Sequence, residues 1–247
     1  MNQAPELGYE EWFHVRTHEI DPNKRMTVPD LLKLMQEASM HNAMALGISV
    51  WDLEKHNISW VILRKVLNVI RLPILGEKIK IVTYPAGFDR VFAYRDFWAT
   101  DSEGKVIAHA ASTWTLLNTV TRKLERIPKE MYQFSSPVGD AKLDLPKAKL
   151  VEPENYERSI SYTIRQLDLD WNNHVNNGVL SKLMFQSIPK EFSDAYILEK
   201  FSFHIKSECF YEEELQIELS QNHEKELAHR IKGKDQKVVA IGRSVWK

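Results

Sequence analysis

The stretch DPNKRMTVPDLLKLM (residues 21–35) aligns without a gap on DWNNHVNNGVLSKLM (170–184). Asp21 meets Asp170, Asn23 meets Asn172, Leu31 meets Leu180, and Lys33-Leu34-Met35 meets Lys182-Leu183-Met184. An internal repeat of this kind constrains a chain strongly, because each copy must bury its own apolar face in the same way. The surroundings repeat too. Leu31, Leu34, Met35 and Ala38 recur at i, i+3, i+4, i+7, as do Leu180, Leu183, Met184 and Ser187, so each copy predicts an amphipathic helix. A strand-like stretch precedes each helix: YEEWFHVRTHEI (9–20) and ERSISYTIRQL (157–167).

Several β-rich runs follow each helix, separated by turn signals such as Asp101-Ser102-Glu103-Gly104. In the first half they are SWVILRKVLNVI, EKIKIVTYPAG, RVFAYRDFWATD and KVIAHAASTWTLLN. In the second they are ILEKFSFHIKSECF, ELQIELSQN, ELAHRIKGK and KVVAIGRSVW. One helix against an antiparallel sheet is a stable two-layer unit. The predicted fold class is therefore α+β, with two such units forming a pseudo-dimer within one chain and pockets where the helices and the junction meet. The predicted divisions are an N-terminal domain over 1–134, a linker over 135–154, and a C-terminal domain over 155–247. The linker lacks periodicity and holds Pro137, Pro146 and Pro153.

Several function classes are disfavoured. The net charge of −1 offers no global field toward DNA or anionic lipid, so no nucleic-acid partner is expected. No Gly-rich phosphate loop, G-x-S-x-G elbow or paired Cys/His metal spacing occurs, so neither cofactor nor metal is expected. No apolar run approaches the ~20 residues that span a bilayer, and the N-terminus lacks a signal-peptide pattern. A single cysteine, Cys209, excludes an internal disulfide. A cytoplasmic setting follows as the expectation.

The differences between the two copies point to the chemistry. Where the second copy has His174, the first has Arg25; where the second has Asn176 and Asn177, the first has Thr27 and Val28. Only the second holds an acid, a carboxamide and a histidine at alternate positions. Asp170, Asn172 and His174 would point to one side if this segment were extended. Asn176 or Asn177 also suits the N-cap of the helix that follows.

LDLDWNNHVNNGVL (167–180), with GFDRVFAYRDF (87–97) and ASTWTLLNTVTRKLERIP (111–128), resembles the acyl-acyl-carrier-protein thioesterases of plants and bacteria. The resemblance runs from about Tyr9 to Trp246. It implies two tandem hotdog domains and hydrolysis of a fatty acyl thioester carried on acyl carrier protein. It also implies catalytic roles for Asp170, Asn172, His174 and, in IKSECF, Glu208 beside Cys209. The chain departs from the family where an aromatic residue often follows H-V-N-N and here Gly178-Val179-Leu180 stands.

Thioester hydrolysis needs an activated nucleophile, oxyanion stabilisation and a held substrate. Glu208, read as lying between apolar strand residues and so partly desolvated, is the base candidate. His174 can orient water or share its proton, Asn172 offers a neutral amide, and Asp170 can fix the histidine. Backbone N–H groups at the start of the 177–187 helix can supply the oxyanion site. Direct attack by the carboxylate to give an anhydride is the alternative. A Cys209 nucleophile is disfavoured, because neighbours on a strand face opposite sides. Met35, Met40, Met44, Trp51 and Trp60 are candidates for the acyl slot. Arg64, Lys65, Arg90 and Arg95 are candidates for docking an acidic carrier. Two rival readings are an acyl-CoA thioesterase and a non-catalytic acyl-binding regulatory hotdog protein. A homodimer is compatible with all three.

Overall fold

A computed structural model describes residues 7–135, 150 and 152–247. Two compact units divide the chain, Met1–Leu145 and Pro146–Lys247. Most of the stretch read as a linker, residues 136–149 and 151, lies outside the described residues.

The first unit runs β1 (Tyr9–His14), α1 (Val28–Ala45), α2 (Val50–Glu54), β2 (Ile58–Val69), β3 (Lys78–Phe88), β4 (Ala93–Asp101), β5 (Val106–Asn118) and β6 (Leu124–Glu125). Its strands pair antiparallel in the order β1-β3-β4-β5-β2, with β6 beside β5. α1 starts where Thr27 accepts the Asp30 N–H and Pro29 opens the first turn, where its missing N–H costs nothing. The apolar stripe of Leu31, Leu34, Met35 and Ala38 is fully buried against the sheet. A second cluster, containing Ile48, Leu53, Leu116 and Met131, closes the end of the unit beyond α1.

The second unit runs β7 (Arg158–Thr163), α3 (Asn177–Gln186), α4 (Lys190–Ala195), β8 (Leu198–Ile205), β9 (Glu214–His223), β10 (Glu226–Lys232) and β11 (Val238–Trp246). Its strand order is β8-β11-β10-β9-β7. Read from the first strand, this is the order of the first unit, with β7 in the place of β1 and β8 in that of β2. α3 buries Leu180, Leu183 and Met184. Gly242 of β11 lets the helix come close: a Cβ there would lie 2.9 Å from Met184 Sδ. Each unit is a hotdog, one long helix on an antiparallel sheet. The repeat in the sequence is thus a repeat in topology.

Candidate active site

Residues 169–175 form a closed turn, not the extended run that would put Asp170, Asn172 and His174 on one side. Leu169 pairs with Val175, and the Asp170 N–H donates to the His174 carbonyl at 2.8 Å. Asp170 Oδ1 accepts the N–H groups of Asn172 (2.8 Å) and His174 (3.2 Å). This short-range bonding by an aspartate side chain bends the backbone where alternation would have kept it straight. Asn173 takes the left-handed conformation, φ 58°, which asparagine tolerates. Asp170 therefore holds His174 through its backbone and not through the imidazole. Asn176 Oδ1 accepts the Gly178 N–H at 2.7 Å and caps α3.

The first unit builds the same turn. Ile20 pairs with Met26, the Asp21 N–H donates to the Arg25 carbonyl, and Asp21 Oδ1 accepts the N–H groups of Asn23 and Arg25 at 2.8 and 2.9 Å. Lys24, with φ 61°, stands where Asn173 stands. Asp21 and Asp170 thus share one structural task. The histidine position separates the copies. The Arg25 guanidinium folds back onto Asp21 Oδ2 at 3.2 Å, whereas His174 turns to a second segment.

That segment carries Glu208. β8 ends at Ile205, so Glu208 and Cys209 are not on a strand as read from the sequence; they lie in an irregular stretch that turns back toward Ile164. Glu212, at φ 62°, breaks the run. Alternation survives locally. The Cys209 carbonyl accepts the Val175 N–H at 3.1 Å and the thiol is buried, while Glu208 and Phe210 face the histidine. Glu208 Oε1 lies 3.5 Å from His174 Nδ1, and the Phe210 ring meets the imidazole edge-on at 5.2 Å. The side chains of His174 and Glu208 keep 18 % and 32 % of their surface exposed. Glu208 is therefore less enclosed than its sequence neighbours suggest, and water reaches the pair. Phe210 was not among the sequence candidates; its position two residues beyond Glu208 is the signal that could have found it.

Matching hydrogen bonds identify the counterpart of Glu208. Met26 N–H donates to the Pro73 carbonyl as Val175 N–H does to that of Cys209, and Val15 N–H donates to Glu77 as Ile164 N–H does to Glu213. This register puts Leu72 where Glu208 stands. The first unit replaces both members of the pair, with Arg25 for the histidine and Leu72 for the glutamate.

Cys209 is unsuited to attack. Burial first, then the charges of Glu213 and Glu208, push its thiol up to about 12, and a thiol must ionise to be a nucleophile. Asn172 is half-buried, and its carboxamide has no hydrogen-bond partner among the described residues. Among the described residues no group of three or more His, Cys, Asp or Glu side chains could hold a metal ion.

The first unit contains an open cavity between α1 and the sheet. Met40, Ala43, Ile48, Trp60, Phe88 and Trp114 are on its apolar wall. Trp60 is fixed there by donating to the Ile48 carbonyl at 2.8 Å. Of the acyl-slot candidates, Met40 and Trp60 line this cavity. Met35 is sealed in the core under α1, and Met44 and Trp51 are exposed. The docking candidates divide as well. Arg90 is exposed and Arg64 partly so. Lys65 and Arg95 are only 4 % and 8 % exposed, so they are removed as carrier-docking residues. The reason is their face of the sheet: Arg95, Ser112 and Lys65 lie opposite one another across β4, β5 and β2, on the side covered by α1.

Two family models match the chain: the acyl-ACP thioesterase N-terminal domain over residues 6–134 and the acyl-ACP thioesterase C-terminal domain over 151–247. An oleoyl-acyl carrier protein thioesterase of Arabidopsis thaliana, a chloroplastic protein, is 29 % identical over 222 residues, covering 82 % of this chain and 61 % of that protein. The chain thus spans about three-fifths of the length of this curated relative. Two solved structures share the fold over nearly their whole length. An acyl-ACP thioesterase from Bacteroides thetaiotaomicron has a TM-score of 0.89 and 22 % identity, with 98 % of each chain covered. A 12:0-ACP thioesterase from Umbellularia californica has a TM-score of 0.89 and 22 % identity, with 99 % of each chain covered.

Proposed function

The chain belongs to the acyl-ACP thioesterase family, and on that premise we propose that it hydrolyses fatty acyl thioesters of acyl carrier protein, releasing the free fatty acid. One observation carries the reading. Two turns of the same construction occur, and only one of them sets a histidine against a carboxylate, His174 against Glu208.

In this mechanism Glu208 is the general base. It takes a proton from a water that His174 orients, and the hydroxide adds to the thioester carbonyl. Asn172 donates from its carboxamide to the water or the developing oxyanion. The first three N–H groups after Asn177 are directed to Asn176, which points to the Asn177 N–H as the backbone donor at this helix start. Collapse of the tetrahedral intermediate expels the pantetheine thiolate, which recovers the proton by way of Glu208. Asp170 acts as a positioning residue through the His174 backbone.

The N-terminal domain, proposed over 1–134, supplies the acyl slot through Met40 and Trp60; the C-terminal domain, proposed over 155–247, supplies the reaction. Arg64 and Arg90 are the remaining candidates for contact with the acidic carrier. No described helix is long and apolar enough to cross a membrane. The proposal places the chain in the cytoplasm, ending chain growth in fatty acid synthesis as a monomer or homodimer. The test is a panel of acyl-ACP and acyl-CoA thioesters of matched chain length. Preferential release from the carrier protein supports the reading. Preferential release from CoA replaces it with the acyl-CoA reaction, and no release from either contradicts it.

A further inference from the structure

The buried cations of the first unit have no structural role as ion pairs. Arg95 donates through Nη1 to Asn42 Oδ1 at 2.7 Å and to Thr83 Oγ1 at 3.2 Å. Both acceptors are neutral. Among the described residues no carboxylate is paired with Arg95 or Lys65, and burial lowers the proton affinity of both. Lys65 lies with its ammonium 5.4 Å from the centre of the Phe97 ring. A buried cation without a counter-charge costs several kcal/mol, and a guanidinium cannot escape that cost by losing its proton near neutrality. Two such cations in one row of one sheet face are an unusual expense for an apolar wall. Arg95 also lines the cavity, with Ser39 and Gln36 near it on α1. The lining is therefore mixed: an aromatic and aliphatic wall that also includes Arg95, Ser39 and Gln36.

We propose that this cavity binds an aliphatic chain that ends in a carboxylate, with Arg95 as the anion-binding residue and Lys65 reinforcing the positive field. An arginine presents paired donors to a carboxylate, and Nη1 is already held in place by Asn42 and Thr83. Two sources offer this chemistry: a free fatty acid, which the proposed reaction itself releases, and an acyl thioester whose far end is oxidised to a carboxylate. The inference rests on the acyl-slot reading of the cavity but not on the catalytic pair, so it is read by binding and not by turnover.

The experiment is calorimetric titration of the full chain with dodecanoate and with 1-dodecanol, which match in length and differ in charge, below their micelle or solubility limits. Dodecanoate is expected to bind at least tenfold more tightly, and Arg95→Gln to remove that preference. Equal affinity for acid and alcohol in the unmodified protein overturns the proposal, as does a preference that persists in folded Arg95→Gln. Should Arg95→Gln not fold, Ala43→Trp fills the cavity from α1 while Arg95 stays in the chain. Dodecanoate binding must then fall at least tenfold, and unchanged binding places the site elsewhere. A second arm separates the sources: competition of dodecanoate against a dodecanedioyl half-thioester on the carrier and against its dodecanoyl counterpart. Tighter binding of the half-thioester than of its dodecanoyl counterpart favours the oxidised acyl group, and displacement by dodecanoate alone favours the free acid. Absence of hydrolysis by the unmodified protein, with its acid preference intact, contradicts the proposed function alone.

Discussion

His174 Nδ1 and Glu208 Oε1 lie 3.5 Å apart, close enough to share one water and one proton, and the homologous pair in the first unit is Arg25 and Leu72. Glu208→Gln keeps the size of the side chain and removes its basicity. Turnover is expected to fall by ~10²–10⁴, the usual worth of a general base, with the melting temperature little changed. Steady-state hydrolysis beside thermal melting checks this. Near-normal turnover in a folded variant removes Glu208 from the mechanism.

Cys209→Ala is expected to keep most activity and to lose ~1 kcal/mol of stability from the small void left in the core. The native thiol should also resist iodoacetamide up to about pH 9, because it is buried and its ionisation is pushed up to about 12. Rapid labelling of the native protein at neutral pH, or acyl transfer to the sulfur, would contradict this placement.

Lys65→Met is expected to stabilise the protein at neutral pH by an amount on the order of 1–3 kcal/mol in the absence of ligand. The sign follows from protons bound. Burial holds the Lys65 ammonium down to about 8, against an ordinary value of 10.5. Below about 8 the folded state carries a buried charge and pays its full desolvation cost. Between about 8 and 10.5 the unfolded chain binds the extra proton, so the contribution of Lys65 to stability rises with pH. The gain from Lys65→Met should therefore be largest below pH 8 and shrink above it. Melting curves from pH 6 to 10 for both proteins test this; a gain independent of pH contradicts the burial account.

Met40→Trp and Trp60→Ala change the cavity wall and are expected to shift the preferred acyl chain shorter and longer, respectively. Met44→Trp and Trp51→Ala change exposed positions and should leave the profile flat. A chain-length profile for the four variants decides the matter. Equal shifts from the exposed pair would move the acyl slot out of this cavity.

The helices and the repeat were legible because burial imposes a period, and Leu31, Leu34, Leu180 and Leu183 write it plainly. The strands were legible for the same reason. The turn was not, because its shape is set by Asp170 Oδ1 bonding two N–H groups, which leaves no periodic trace. Glu208 was placed on a strand because IKSECF continues the β-rich pattern, whereas β8 ends at Ile205 and the Lys206 and Ser207 N–H groups both donate to the Val239 carbonyl. The buried cations were hidden for a different reason. Composition treats every Lys and Arg as solvated, and only the cross-strand row of Arg95, Ser112 and Lys65 shows that two of them face α1. Met44 and Trp51 were grouped with Met40 and Trp60 by proximity in sequence; Met44, at the end of α1, and Trp51, on α2, are exposed.

In the proposed mechanism one turn of the two carries the reaction. Hydrolysis of a fatty acyl-ACP by His174→Ala and by Arg25→Ala, each measured beside its melting temperature, tests it most directly. His174→Ala should fold normally and lose ~10²–10⁴ in turnover. Arg25→Ala should lose stability with its bonds to Asp21 and keep its turnover. A folded Arg25→Ala protein without activity, or a His174→Ala protein with near-native activity, would contradict the division.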